Sequence, residues 1–131
     1  MERAAVNPWA WSVGFGYNQA ELVSGAARTL YLAGQAACDE NGEPQYAGDM
    51  RAQVELSVAN METVLRDAGM SLANVVRLNI YVTDMDAYWG CLDVLAGRLA
   101  AAEIAPPGSL LQVARLAMPG LMVELEATAV D

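Results

Sequence analysis

A chain of 131 residues, 55% of them hydrophobic and with a mean hydropathy of +0.23, fits one domain spanning 1–131 and carries more apolar surface than so small a fold buries alone. Seven basic residues against sixteen acidic ones leave a net charge of −9, which repels phosphate backbones and excludes nucleic acid as a partner. Histidine is absent, which excludes Ser-His-Asp and Cys-His catalysis, HExxH zinc chemistry and an imidazole base.

Residues 1–20 read as irregular and aromatic, with Pro8, Trp9, Trp11, Phe15 and Tyr17 set among glycines, and no basic stretch followed by an apolar one that would mark a signal peptide. The VGFGYNQ stretch lacks the Lys-Ser/Thr of a phosphate loop. Two short strand-like runs follow, 21–24 and 28–33, with Gly25-Ala26-Ala27 as the turn between them. Residues 38–48 read as a loop turning at Asn41-Gly42. Asp49 is placed to cap a helix in which Val54, Val58, Met61 and Leu65 line one stripe. Arg51, Glu55, Glu62 and Arg66 fall mainly opposite, and Gly69 supplies the stop.

From Val75 the period becomes two. Val76, Leu78, Ile80 and Val82 face one way; Val75, Arg77, Asn79 and Tyr81 face the other. Asp84 caps a second helix that buries Tyr88, Cys91, Leu92, Leu95 and Leu99, and Pro106-Pro107 ends it. A final hairpin is expected from strands 109–116 and 121–130, with Pro119-Gly120 at the centre of a type II turn. In its last strand Leu121, Val123, Leu125 and Ala127 share one face, and Met122, Glu124, Glu126 and Thr128 share the other.

The predicted order is ββαβαββ, an α+β fold with a mostly antiparallel sheet and two helices on one face. The opposite face mixes carboxylates with apolar groups, a pattern suited to closure against copies of the same chain with polar pockets at the seams. No apolar run approaches the roughly 18 residues of a membrane helix, so the surplus apolar surface is assigned to subunit interfaces rather than to a membrane. Cys38 and Cys91 form no CxxC pair and read as thiols of a reduced, cytoplasmic protein.

The end of the chain, VARL at 113–116 followed by VELEATAV at 123–130, resembles the signature of the RidA/YjgF/L-PSP family. GYNQA at 16–20, LAGQ at 32–35 and NIYVTDMDAY at 79–88 fall in the same order, so the resemblance spans Gly14 to Val130. It implies a chorismate-mutase-like fold and a homotrimer whose sheets close into a central barrel. Small-molecule pockets would lie between subunits, with no metal and no organic cofactor. Members that resemble RidA hydrolyse enamines and imines such as 2-aminoacrylate to keto acids and ammonia. In them an arginine early in the penultimate strand clamps the substrate carboxylate, and a glutamate in the last strand positions water or relays a proton.

Carried onto this chain, the resemblance makes Tyr17 and Glu124 the implied catalytic residues. Ala33, Leu92, Gly108 and Leu110 occupy the family's serine, asparagine, arginine and cysteine positions and become the implied substrate-binding residues. One residue is inserted between VARL and VELE. Gly108 is expected to open volume, while Trp11 and Phe15 either wall the pocket or fill it. Glu126 is read as structural, and Arg77 and Arg115 as interface or surface charges. The expected function is cofactor-free acid/base chemistry through Glu124 on a relatively apolar substrate: deaminase-like imine or enamine hydrolysis, or a dehydration, lyase or cyclisation step. The alternative is a non-catalytic ligand-binding trimer.

Overall fold

A computed structural model describes residues 1–131. Asp49 accepts a hydrogen bond from the Ala52 N–H at 3.0 Å and starts helix α1, Met50–Asp67. Its stripe of Val54, Val58, Met61 and Leu65 is fully buried, and Gly69 follows with φ 75°, the left-handed conformation that ends a helix.

Strands β1 (Glu2–Val6) and β2 (Ala20–Ser24) form an antiparallel pair of their own. The main sheet is built on β5 (Val75–Val82) and β7 (Val123–Val130), antiparallel from Arg77↔Thr128 to Val82↔Val123. On the far edge of β7 lie β3 (Thr29–Tyr31) and β4 (Gln35–Ala36), both antiparallel to it. On the far edge of β5 lies β6 (Leu110–Gln112), which runs parallel. Helix α1, with α3 (Leu92–Ala101) packed beside it, covers the face presented by Leu78, Val82, Val123, Leu125, Ala127 and Ala129. No helix is long and apolar enough to cross a membrane.

Four expectations change. Residues 2–6 are a strand, not irregular chain. They are fixed by pairing with β2 and by Arg3, which bonds Glu21 and the carbonyls of Ala73 and Val75. Consequently β2 and β3 do not pair with each other. There is also no terminal hairpin, because β6 pairs with β5. After β6 the Val113 N–H bonds the Val82 carbonyl, and the returning chain accepts from the Thr83 N–H at Met122. The Pro119-Gly120 turn does form, with Leu121 N–H donating to Met118 O and Gly120 at φ 88°, but it joins no strand pair.

The second helix is two. α2 (Met85–Trp89), capped by Asp84, gives way at Gly90 and Cys91 to α3 (Leu92–Ala101), with Cys91 at a non-helical φ of −133°. Tyr88, Cys91 and Leu95 are nevertheless buried. Finally, a β-bulge between Val75 and Arg77 reassigns the start of β5. Val75, not Val76, joins the core beneath the helices.

One polar side chain in this core was not anticipated. Gln53, fully buried on α1, donates its amide to the carbonyls of Gln45, Tyr46 and Gly120 at 2.7–3.2 Å and accepts from Met122 N–H at 2.8 Å. It fastens the 38–48 loop and the approach to β7 onto the helix.

Candidate functional site

Period-two alternation turns Tyr81, Arg77 and Asn79 of β5, and Glu124, Glu126 and Thr128 of β7, away from the helices. Glu124 stands opposite Tyr81 on one side and Ala36 on the other. Its carboxylate lies over Gly34: a Cβ at that position would sit 1.9 Å from Glu124 Oε1 and 2.8 Å from its Cγ. Only glycine leaves room for the side chain there. Ala33, next to it, is exposed, and its carbonyl accepts the Gln35 side-chain amide. The fold therefore brings Ala33, Gly34 and Glu124 together. Cys38 is close enough to join this group. Burial chiefly pushes its thiol upward, with Asp39 and then Glu124 adding to the effect.

The neighbouring carboxylate is in a different state. One oxygen of Glu126 accepts both Asn79 Nδ2 and Tyr81 Oη–H at 3.0 Å, and Asn79 Oδ1 in turn accepts Ser109 N–H at 3.1 Å. The hydrogen bonds from Asn79 and then Tyr81, with Arg77 nearby, hold the Glu126 carboxyl below the usual carboxylate range. The same bond, with some desolvation, raises the Tyr81 phenol. Glu126 is thus tied as an anion, while Glu124 takes no side-chain hydrogen bond.

Gly108 does not open volume. A Cβ there would fall 1.6 Å from the Leu78 carbonyl oxygen and 2.5 Å from its carbon, so the β5 backbone already occupies that space. Leu110, paired with Ile80, and Leu92, at the start of α3, both pack against the helix-side core rather than the open face. The family resemblance groups them with Glu124; within one chain, Leu110 and Leu92 lie on the helix side of the sheet.

Tyr17, Trp11 and Phe15 form one aromatic cluster. Trp11 meets Tyr17 edge-on at 6.1 Å and Phe15 at 6.5 Å, and Trp11 and Phe15 remain 57% and 73% exposed. Asn18 N–H bonds the Ala105 carbonyl, which holds this segment toward the Arg77 end of the sheet. Within one chain, Tyr17 and Glu124 are not brought together. Gly34 and Cys38 were missed from the sequence. The glycine of LAGQ, directly after Ala33, was the available signal for the first. No group of three or more cysteine, aspartate or glutamate side chains converges as a metal site requires.

Residues 12–131 match the family model described as Endoribonuclease L-PSP. The mitochondrial protein mmf2 of Schizosaccharomyces pombe is 37% identical over 89 residues, which cover 67% of this chain and 66% of that protein. Among solved structures, the Rid-family protein YyfB of Yersinia pestis is 36% identical with a TM-score of 0.84 over the whole of both chains. Escherichia coli TdcF with bound serine is 26% identical, with a TM-score of 0.69 over 88% of this chain and 87% of that one. The matched length, the shared fold and the sequence identity together establish that the chain belongs to the Rid/L-PSP superfamily.

Proposed function

We propose that this chain is a Rid-superfamily enzyme that hydrolyses an imine or enamine, or carries out a related dehydration, lyase or cyclisation step, with Glu124 as its acid/base group. The observation that carries the reading is the contrast between the two carboxylates of β7: Glu126 is bound by Asn79 and Tyr81, while Glu124 lies over Gly34 with no side-chain partner. A carboxylate so placed can exchange protons with a water and a substrate. In hydrolysis, Glu124 takes a proton as the water oxygen bonds to the C=N carbon. It then returns that proton to nitrogen, giving a carbinolamine, and in a second transfer moves the hydroxyl proton to the same nitrogen, so that the C–N bond breaks, ammonia leaves and a carbonyl remains. The similarity to Escherichia coli TdcF, a putative reactive intermediate deaminase, supports this class of chemistry.

The substrate is relatively apolar. Gly108 supplies no guanidinium, and a carboxylate desolvated without a charge partner is disfavoured. The exposed rings of Trp11, Phe15 and Tyr17 supply aromatic surface. Because Tyr17 and Glu124 stand at different ends of the sheet, a pocket containing both draws them from neighbouring copies in a homotrimer. The free thiols of Cys38 and Cys91 support a reducing compartment such as the cytoplasm. The absence of a clamp at Gly108 also favours a second reading, a ligand-binding trimer without catalysis.

Glu124→Gln tests the proposal, since it keeps size and hydrogen-bonding shape but removes the titratable proton. Imine hydrolysis, followed as ammonia release from an apolar imine generated in situ, is expected to fall by at least about 10²-fold with the assembly intact. Undiminished turnover would move the chemistry elsewhere; no turnover in the unmutated chain alongside saturable ligand binding would establish the second reading.

A further inference from the structure

Gly34 reaches Glu124 through β4, which is only two residues long. The register Gln35↔Leu125 and Ala36↔Glu124 rests on a ladder too short to hold a strand in place by itself. Just past it the Cys38 N–H turns back to the Ala36 carbonyl at 2.9 Å, and the chain enters a loop in which residues 39–43 are all exposed. What fixes this segment comes from the helix. Asn60, half-buried on α1, donates Nδ2 to the carbonyls of Ala36 and Cys38, each at 2.9 Å. A primary amide nitrogen carries two N–H bonds, so both are committed, one on each side of the fully buried Ala37. Two bonds from one planar group set the orientation of the 36–38 turn as well as its distance from α1. The helix is a firm reference, because Val58 and Met61 on either side of Asn60 are fully buried in the core. Gln53, two turns earlier and about 10.5 Å along the same side of α1, fastens the other end of the loop at Gln45 and Tyr46. Asn60 grips the end that bears Gly34 and Cys38.

We propose that Asn60 is the positioning residue of the Glu124 site: it holds Gly34 and the 36–38 turn against β7 and so fixes where the Glu124 carboxylate stands. The proposal rests on the acid/base reading of Glu124 and adds the group that sets its geometry. The close approach at Gly34 makes the placement exacting. A Cβ there would lie 2.6 Å from Glu124 Cδ, so the carboxyl group rests against the Gly34 backbone and shifts when that backbone shifts. A displacement of about 1 Å at a reacting group costs about 10²-fold in rate. Both bonds of the Asn60 amide go to backbone carbonyls, so its effect passes through β4 and the turn. Cys38 sits on the same turn, near enough to Glu124 for the carboxylate to help raise its thiol, and its reactivity reports on the turn independently of turnover.

Asn60→Leu keeps the size of the side chain and removes both N–H donors. In the intact assembly, kcat for the apolar imine is expected to fall about 10–10²-fold with KM little changed. Cys38 is alkylated by iodoacetamide at least about tenfold faster, while the buried Cys91 keeps its rate. Asn60→Gln, which retains the amide, recovers part of both effects. Added to Glu124→Gln, Asn60→Leu costs little more, because the two residues act as one unit. Should Asn60→Leu also expose Cys91, Asn60→Asp, of the same shape and without N–H donors, takes its place. Unchanged turnover or an unchanged Cys38 rate would overturn the proposal, as would a full multiplicative loss on top of Glu124→Gln. Undiminished turnover of Glu124→Gln alone would instead remove the acid/base reading, so the two fail on different variants.

Discussion

Gly108→Ala adds a single methyl group where the chain has no place for it. The new Cβ would lie 1.6 Å from the Leu78 carbonyl oxygen, so one backbone must move. Two hydrogen bonds oppose the movement, Leu78 N–H to Pro107 O at 3.0 Å and Ile80 N–H to Ser109 O at 2.8 Å, one on each side of the contact. Overpacking costs about 1–3 kcal/mol, and loosening these two bonds adds about 0.5–1.5 kcal/mol each. Losing glycine's freedom in the unfolded chain returns only about 0.4–1 kcal/mol. The net expectation is a loss of about 1–6 kcal/mol, about 3 in mid-range, or a Tm lower by on the order of 10 °C for a chain this size. Gly97→Ala is the matched control. Gly97 lies inside α3 with nothing within 4 Å of its would-be Cβ, so the same chemical change there raises stability by about 0.5–1 kcal/mol. Urea denaturation of the two variants reads the difference directly. Equal or greater stability of Gly108→Ala than of Gly97→Ala would refute the close approach. The same contact bars an arginine from this position, so Gly108→Arg is expected to unfold the edge of the sheet rather than supply a carboxylate clamp.

Gln53→Leu leaves the Met122 N–H and three carbonyls without their buried partner and is expected to cost about 2–4 kcal/mol, measured as a lower urea midpoint at unchanged slope. Glu126 titrates below its ordinary value in the fold. Its contribution is therefore present above the unfolded pKa of about 4.3 and is lost as pH falls through the lower folded value. Glu126→Gln should flatten the acid side of the stability profile in that window, and an unchanged profile would mean the Asn79–Tyr81 bonds do not hold the anion. Light scattering at micromolar concentration is expected to give three times 13.9 kDa, and a stable monomer would remove the intersubunit pocket.

What was legible in the sequence was local and strongly patterned. The α1 stripe repeats through three turns and is bracketed by Asp49 and Gly69, so periodicity and caps agree on its limits. The Pro119-Gly120 turn was equally readable, because its two residues prefer the dihedral angles that they adopt. The partnerships were not legible. ERAAV becomes β1 only because β2 pairs with it across an irregular 13-residue segment, and no residue within 2–6 announces that. The parallel pairing of β6 with β5 is likewise a long-range event, and the hairpin expectation mistook a good turn for a strand connection. Glu124 was found through its place in VELE. The approach of Gly34 to it and the crowding at Gly108 depend on segments distant in the chain, so composition carried no trace of either.

The irregularity at the start of β5 also separates chain length from side-chain facing. With Val75 and Leu78 both turned to the helices, Val76 is the surplus residue between them. Deleting it would restore simple alternation, with Val75, Leu78 and Val82 still inward and Arg77, Asn79 and Tyr81 still outward. A chain one residue shorter here would keep the inward-facing residues in place and remove one wall of the groove that Val76 lines with Gln19, Glu21 and Arg77. A change of length at this point would thus reshape the surface beside β2 while the core is left as it stands.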